Sequence, residues 1–310
     1  MRPKTIHNEI TAQGLGLHTG QNITVRLKPA PVNSGVIFQR TDLFNAPPLA
    51  ANPTNVTNTV LATTLGRGEN HLSTIEHLMA ALAGLGVDNL LIEVDGPELP
   101  IFDGSAAEWV HLLNLAGLTK QDAVRPIYLV DRPHRFSLGD KSIEVRPAAR
   151  FAVEAHINFD GLIGRQCFYY LASEETFTTE ISRTRTFCLA QDVEKMRNQG
   201  LALGGSLDNA VVVGDDGILN PEGLRFPDEF VRHKILDFIG DLALAGAPII
   251  GQFILHKPGH ELNRCFLLEA LTKKIFKPIL AAKSNPAVKA KNHFTPPARL
   301  MLLDETWTAI

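Results

Sequence analysis

The sequence predicts an α+β protein of two similar domains, each a β-sheet with two helices on one face. One repeated order of elements carries that expectation. A helix-period stretch ending in Ala83-Gly84 is followed by a buried strand (Asn89 to Val94), a Gly-containing turn and a helix through Trp109, Leu112, Leu113 and Leu115. The same order returns as a helix ending at Ala245-Gly246, a strand (Ile249 to Leu255), the turn Lys257-Pro258-Gly259-His260 and a helix through Phe266, Leu267, Leu268 and Leu271. Strand-like runs precede each block. The apolar pattern lapses around Thr119 to Arg125, so the expected domains are residues 1–122 and 123–310.

Composition narrows the function. The chain has 310 residues, 45% hydrophobic and 20% charged, enough for two cores of ordinary size. A net charge of -3 gives no basic field for nucleic acid, so an anionic ligand must be met by locally placed Lys or Arg. Met1-Arg2-Pro3-Lys4 has no apolar run behind it, and no stretch approaches the ~20 apolar residues of a membrane span. Cys167, Cys188 and Cys265 are odd in number and far apart, and read as buried free thiols of a reducing compartment. The expectation is a cytoplasmic monomer without a transmembrane segment.

The first half opens on a glycine-punctuated turn, Gly14 to Gly20, which contains His18. His18 reads either as a turn residue bonding its own backbone or as part of a site. Ile23, Val25 and Leu27 then alternate with Thr24, Arg26 and Lys28, the period of a half-buried strand. Pro29 and Pro31 close it, Gly35 to Gln39 starts a partner strand, and Phe44 to Asn58 is looser. Leu72 to Gly84 reads as a helix capped by Ser73 or Thr74 and ended by Gly84. Adjacent Glu76 and His77 in its first turn are either a capping carboxylate beside an incidental histidine, or an acid–base carboxylate beside a metal ligand.

In the second half, strands are expected at Ile127 to Val130, Ser142 to Val145, Phe151 to Phe159 and Gln166 to Leu171, with a hairpin turn at Gly139-Asp140. A short helix, Glu174 to Ile181, leads into Ser182 to Phe187. Residues 188–213 read as an irregular insertion with a polar helix through Val193 and Met196 and a strand from Ala210 to Val213. On the helix Phe230 to Leu242, His233, Asp237 and Asp241 share one stripe, opposite Ile235, Leu236, Phe238, Ile239 and Leu242. His-x-x-x-Asp can grip one metal ion from adjacent turns, or form an ordinary i, i+4 pair on a solvated face.

Five blocks stand in order along the chain: Gly14 to Gly20, Ser73 to Leu78, Pro100 to Ala106, Ser182 to Phe187 and Phe230 to Asp237. From about residue 5 to about residue 275 the chain resembles the UDP-3-O-acyl-N-acetylglucosamine deacetylases, zinc amidases of lipid A biosynthesis in Gram-negative bacteria. The resemblance implies that the helices of both domains are sandwiched between two outer sheets. It implies one catalytic Zn²⁺ on His77, His233 and Asp237, with Glu76 as general base and His260 as general acid. Asp241 would be the charge partner of His260, and Thr186 and Lys234 would contact substrate. Phe187 and His18, within matching blocks, are expected beside it, and Phe159 near the uridine. The neighbour of Phe159 is often Asp in relatives and is Asn158 here. The insertion matches the passage that relatives use for the acyl chain. Residues from about 280 onward, with Pro286, Pro296 and Pro297, carry no usable motif.

The residue types suit amide hydrolysis of UDP-3-O-acyl-N-acetylglucosamine to acetate and a free amine. Two His and one Asp give zinc three ligands and leave one position open. Glu76 can take a water proton, Thr186 can support the oxyanion, and His260 can donate to the amine. Lys234, Arg183 or Arg185 would neutralise the diphosphate. Two other readings are a zinc deacetylase of another N-acyl sugar nucleotide and a binding protein with structural zinc. The second fits poorly, because structural sites are usually closed by four protein ligands.

Overall fold

A computed structural model describes residues 1–280, so the stretch 281–310 of the expected second domain lies outside the described residues. In the first half, β1 (Ile10–Leu15), β2 (Asn22–Pro29), β3 (Val36–Arg40), β4 (Leu49–Ala50) and β5 (Leu90–Val94) form a sheet in the order β1-β2-β5-β3-β4. The expected alternation buries Ile23, Val25 and Leu27. Helices α1 (Glu76–Leu85) and α2 (Ala107–Ala116) cover that face, with Leu78, Leu82 and Leu113 in the same core.

The second half repeats the topology. Strands β6 (His134–Leu138), β7 (Lys141–Arg146), β8 (Ala152–Asn158), β9 (Arg165–Leu171) and β10 (Gln252–His256) run in the order β6-β7-β10-β8-β9. In each sheet the last strand enters the middle, antiparallel to the second and parallel to the third. Helix α3 (Ala190–Asn198) belongs to the insertion, while α4 (Glu229–Ala243) and α5 (His260–Thr272) cover the second sheet. Phe238, Phe253 and Phe266 pack there as one aromatic cluster. No helix of the described residues is long and apolar enough to cross a membrane.

The two helical layers meet where α1 crosses α4. A Cβ on Gly240 of α4 would lie 2.1 Å from the Glu76 carbonyl oxygen, so only glycine lets the backbones approach this closely. Gly240→Ala is therefore expected to destabilise the fold by about 1–3 kcal/mol, as overpacking does. Urea unfolding of the variant beside the parent chain measures it.

Several local expectations are corrected. The strand at Val36–Arg40 pairs with β5, not with β2, because β5 arrives from fifty residues later and occupies the centre. Gly14 lies within β1, and the turn begins at Gly16. Neither Ser73 nor Thr74 caps α1. Ile75 is at the cap, and Thr74, at φ +59°, gives its hydroxyl to Glu98. The helix ends at Gly86, whose φ of +71° is the left-handed conformation glycine adopts without strain. Gly84 instead lies under the Phe177 ring. The strand expected from Ile249 to Leu255 breaks at Gly251, with Ile249–Ile250 joining Pro126–Val130 in a separate sheet. All three cysteines are free, yet none is buried as expected: Cys167 is exposed, and Cys188 and Cys265 are half-buried.

Candidate metal centre and active site

Helix α4 is buried on nearly every side, because α1 and the second sheet enclose it. The stripe of His233, Asp237 and Asp241 is therefore interior, and its polar groups need partners. His77 arrives from the first turn of α1, its ring centroid 5.1 Å from that of His233. His233, His77 and Asp237 each offer a ligand atom, all within 4.8 Å of one another. The Thr184 carbonyl can only accept, so His233 Nδ1–H donates to it at 3.0 Å. That leaves the lone pair of Nε2 on the side of Asp237 Oδ1, 3.3 Å away. Burial pushes the His233 imidazole down to about 3 although Asp237 pulls the other way, so the ring is neutral. His77 Nδ1 is buried without a partner. Two imidazoles and one carboxylate converge in the interior, with His77 Nε2 3.7 Å from Asp237 Oδ1, and that donor set fits one divalent metal ion.

Beside this triad stand two proton-carrying groups. Glu76 is buried, and desolvation raises its carboxyl above the usual range against the pull of His260 and His77. His260 Nε2 lies 4.0 Å from Glu76 Oε1. Its Nδ1–H donates to Asp241 Oδ2 at 2.8 Å. Burial would lower His260, but the Asp241 charge and hydrogen bond overcome it and push the imidazole up to about 10. A His pKa raised from 6.5 to about 10 contributes stability in full below pH 6.5 and loses it as pH rises toward 10. Metal-free protein is thus expected to weaken in urea between those pH values, and Asp241→Asn to flatten the trend.

The site opens on a cavity of about 640 Å³. His18, Thr186, Phe187 and Lys234 line it together with Glu76 and His260. Lys234 Nζ donates to Asp237 Oδ2 at 2.9 Å. Phe159 is not among the lining residues; its ring meets Phe187 edge-on, centroids 5.6 Å apart. Val193 and Met196 of α3, with Leu207 and Val212 beyond it, give the cavity an apolar wall. That wall is tied to the first half, because Leu203 N–H donates to the His18 carbonyl and Gly204 N–H to that of Leu17.

Arg185 is not available to a diphosphate. Its side chain is 2% exposed, with Nε 2.9 Å from Glu229 Oε1 and Nη2 on the Gly223 carbonyl. Arg183 is exposed. Three residues of the site carried no sequence expectation. Thr63 and Asn263 both donate to Asp241. Fully buried Glu98 accepts the backbone N–H groups of His18 and Thr19 and fixes their turn. Asn263 lies one turn after His260 on α5, a spacing that placed it on the same face; the other two gave no periodic signal.

Comparison with known proteins agrees over most of the chain. A family model described as UDP-3-O-acyl N-acetylglycosamine deacetylase (LpxC) matches residues 3–273. The UDP-3-O-acyl-N-acetylglucosamine deacetylase of Myxococcus xanthus is 48% identical over 269 residues, 85% of this chain and 86% of the relative. Those of a Geobacter species (46% over 271 residues, 87% and 89%) and Brucella melitensis (46% over 262 residues, 84% and 92%) are similarly related. Matched across both halves, and with an interior triad that could hold a metal ion, this chain belongs to the UDP-3-O-acyl-N-acetylglucosamine deacetylase family of lipid A biosynthesis.

Proposed function

We propose that the chain removes the N-acetyl group of UDP-3-O-acyl-N-acetylglucosamine, using one Zn²⁺ ion held by His77, His233 and Asp237. The observation that carries this reading is the placement of Glu76 and His260, 4.0 Å apart, at the cavity that His77 and Asp237 of the triad also line. Zinc, when bound, supplies Lewis-acid polarisation and acidifies water. Glu76 takes a proton from the attacking water, whose oxygen adds to the amide carbonyl carbon while the C=O pair moves to oxygen. The Thr186 hydroxyl donates to that oxyanion. On collapse the C–N bond breaks, and His260 Nε2–H protonates the leaving nitrogen. Asp241 holds the opposite edge of the imidazole, which keeps Nε2 facing the cavity. Acetate and the free amine leave. Lys234 meets the diphosphate, His18, Phe187 and Phe159 border the sugar nucleotide, and the insertion wall holds the acyl chain.

In this reading the chain is a cytoplasmic monomer of two domains, 1–122 and 123–310. The pairing of Leu118–Lys120 with Lys4–Ile6, and of Pro126–Val130 with Phe276–Leu280, supports that division. The test is acetate release from UDP-3-O-acyl-N-acetylglucosamine before metal removal, after it, and after zinc return. Loss with the metal and recovery at about one equivalent of zinc is expected from a single three-ligand site. Folded, zinc-loaded protein that releases no acetate overturns the reading. Non-acylated UDP-N-acetylglucosamine, run in parallel, reports whether the acyl chain is demanded.

A further inference from the structure

We propose that Thr63 is a positioning residue that sets the general base and the general acid against each other. The inference rests on the deacetylase reading for the roles of Glu76 and His260, and on the hydrogen bonds alone for the geometry. Thr63 immediately precedes the strand Thr64–Arg67 and is 2% exposed. Its backbone N–H donates to Glu76 Oε2 at 3.0 Å. Its hydroxyl lies 2.6 Å from Asp241 Oδ1, and a carboxylate only accepts, so the hydroxyl proton goes there. The same oxygen is 3.3 Å from His260 Nδ1, whose own proton is directed at Asp241 Oδ2, 2.8 Å away.

Asp241 is therefore held at both ends. Thr63 fixes Oδ1, while His260 and Asn263 share Oδ2. Without the hydroxyl, one carboxylate oxygen is left buried and unpaired, and the group is free to turn about its Cβ–Cγ bond toward other donors. Any such turn draws Oδ2 away from His260 and tilts the ring. Glu76 is gripped by the main chain of the same residue, so one residue spans both proton-transfer groups. It does so across the junction, since Glu76 is on α1 and Asp241 and His260 are on α4 and α5. Thr63 is itself stiffly placed. Its carbonyl accepts the N–H of Ile75, the cap of α1, and Ala62 before it is buried. Outer-shell partners that orient metal ligands carry about a 10- to 100-fold effect, and a loss on that order is expected here by analogy.

Thr63→Val keeps the shape and the backbone N–H but removes the hydroxyl, and Thr63→Ser keeps both donors. The valine variant is expected to lose about 10- to 100-fold in kcat, with KM and zinc content near those of the parent, and the serine variant to recover most of the loss. In an Asp241→Asn background, Thr63→Val should cost nothing further, because the two residues act as one unit. Should the valine variant not fold, Thr63→Ala gives the same comparison. An independent readout is the His260 Nδ1–H proton resonance of the zinc-loaded protein, identified by its absence in His260→Ala. It should be slow to exchange in the parent and serine forms and broadened in the valine form. Full kcat in Thr63→Val, or a full additional loss in the Asp241→Asn background, overturns the proposal while leaving the deacetylase reading intact. No acetate from the parent chain, with the resonance still responding to Thr63→Val, overturns the deacetylase reading and leaves the geometric inference standing.

Discussion

Glu76→Ala is expected to retain its metal and to lose turnover by about 10²- to 10⁴-fold, the range for removal of a positioned general base. The carboxylate is not among the three convergent ligands, so elemental analysis should give the same zinc content as the parent chain. It is, however, a buried carboxylate of the cavity that accepts the Thr63 N–H and lies 4.0 Å from His260 Nε2. Its pKa is raised by burial, which makes it a stronger base than an exposed glutamate once ionised. Glu76→Gln, which keeps the bond from Thr63 N–H, separates lost basicity from lost packing. Parental rates of acetate release in both variants would remove Glu76 from the mechanism.

Arg185→Ala is expected to cost about 3–5 kcal/mol of folding stability, the usual result of stripping one partner from a buried pair. Glu229 is fully buried in the first turn of α4 and accepts from the Arg185 backbone, the Arg185 guanidinium and the Arg225 backbone. Without the guanidinium its charge has two N–H donors and the helix terminus, which offset only part of the desolvation. The damage should reach the site. Thr184, whose carbonyl orients His233, and Thr186, at the cavity, flank Arg185 on either side. Arg185→Lys should rescue little, since one ammonium cannot reproduce the forked contacts to Glu229 and Gly223. Urea unfolding that shows a loss under about 1 kcal/mol would mean that the pair stabilises no more than an exposed ion pair does.

What the sequence made legible was whatever repeats locally. The stripe of His233, Asp237 and Asp241 follows from helical geometry, and the alternation at Ile23, Val25 and Leu27 from the pleat. The matching element order of the two halves anticipated two similar layers of sheet and helices, though not the order of their strands. Long-range pairing was out of reach. Nothing near Val36–Arg40 reveals that its neighbour is β5. Arg185 looked like a cation for the diphosphate because charged side chains are ordinarily exposed, and its partner lies 44 residues further on. Gly240 resembled any helical glycine until the Glu76 backbone was found against it. Thr63 sits in an irregular stretch with no period, where a single hydroxyl carries no signal.

The triad is divided between the layers, one ligand on α1 and two on α4. An ion held there is a rivet through the seam of the duplicated fold. Folded chain gains from it in proportion to the logarithm of free metal over its dissociation constant, and unfolded chain does not. In the proposed reading, metal supply would then set how long the protein survives as well as how fast it works. A chain short of its ion would then lose that linkage stabilisation and spend a larger fraction of its time unfolded, the form proteases degrade.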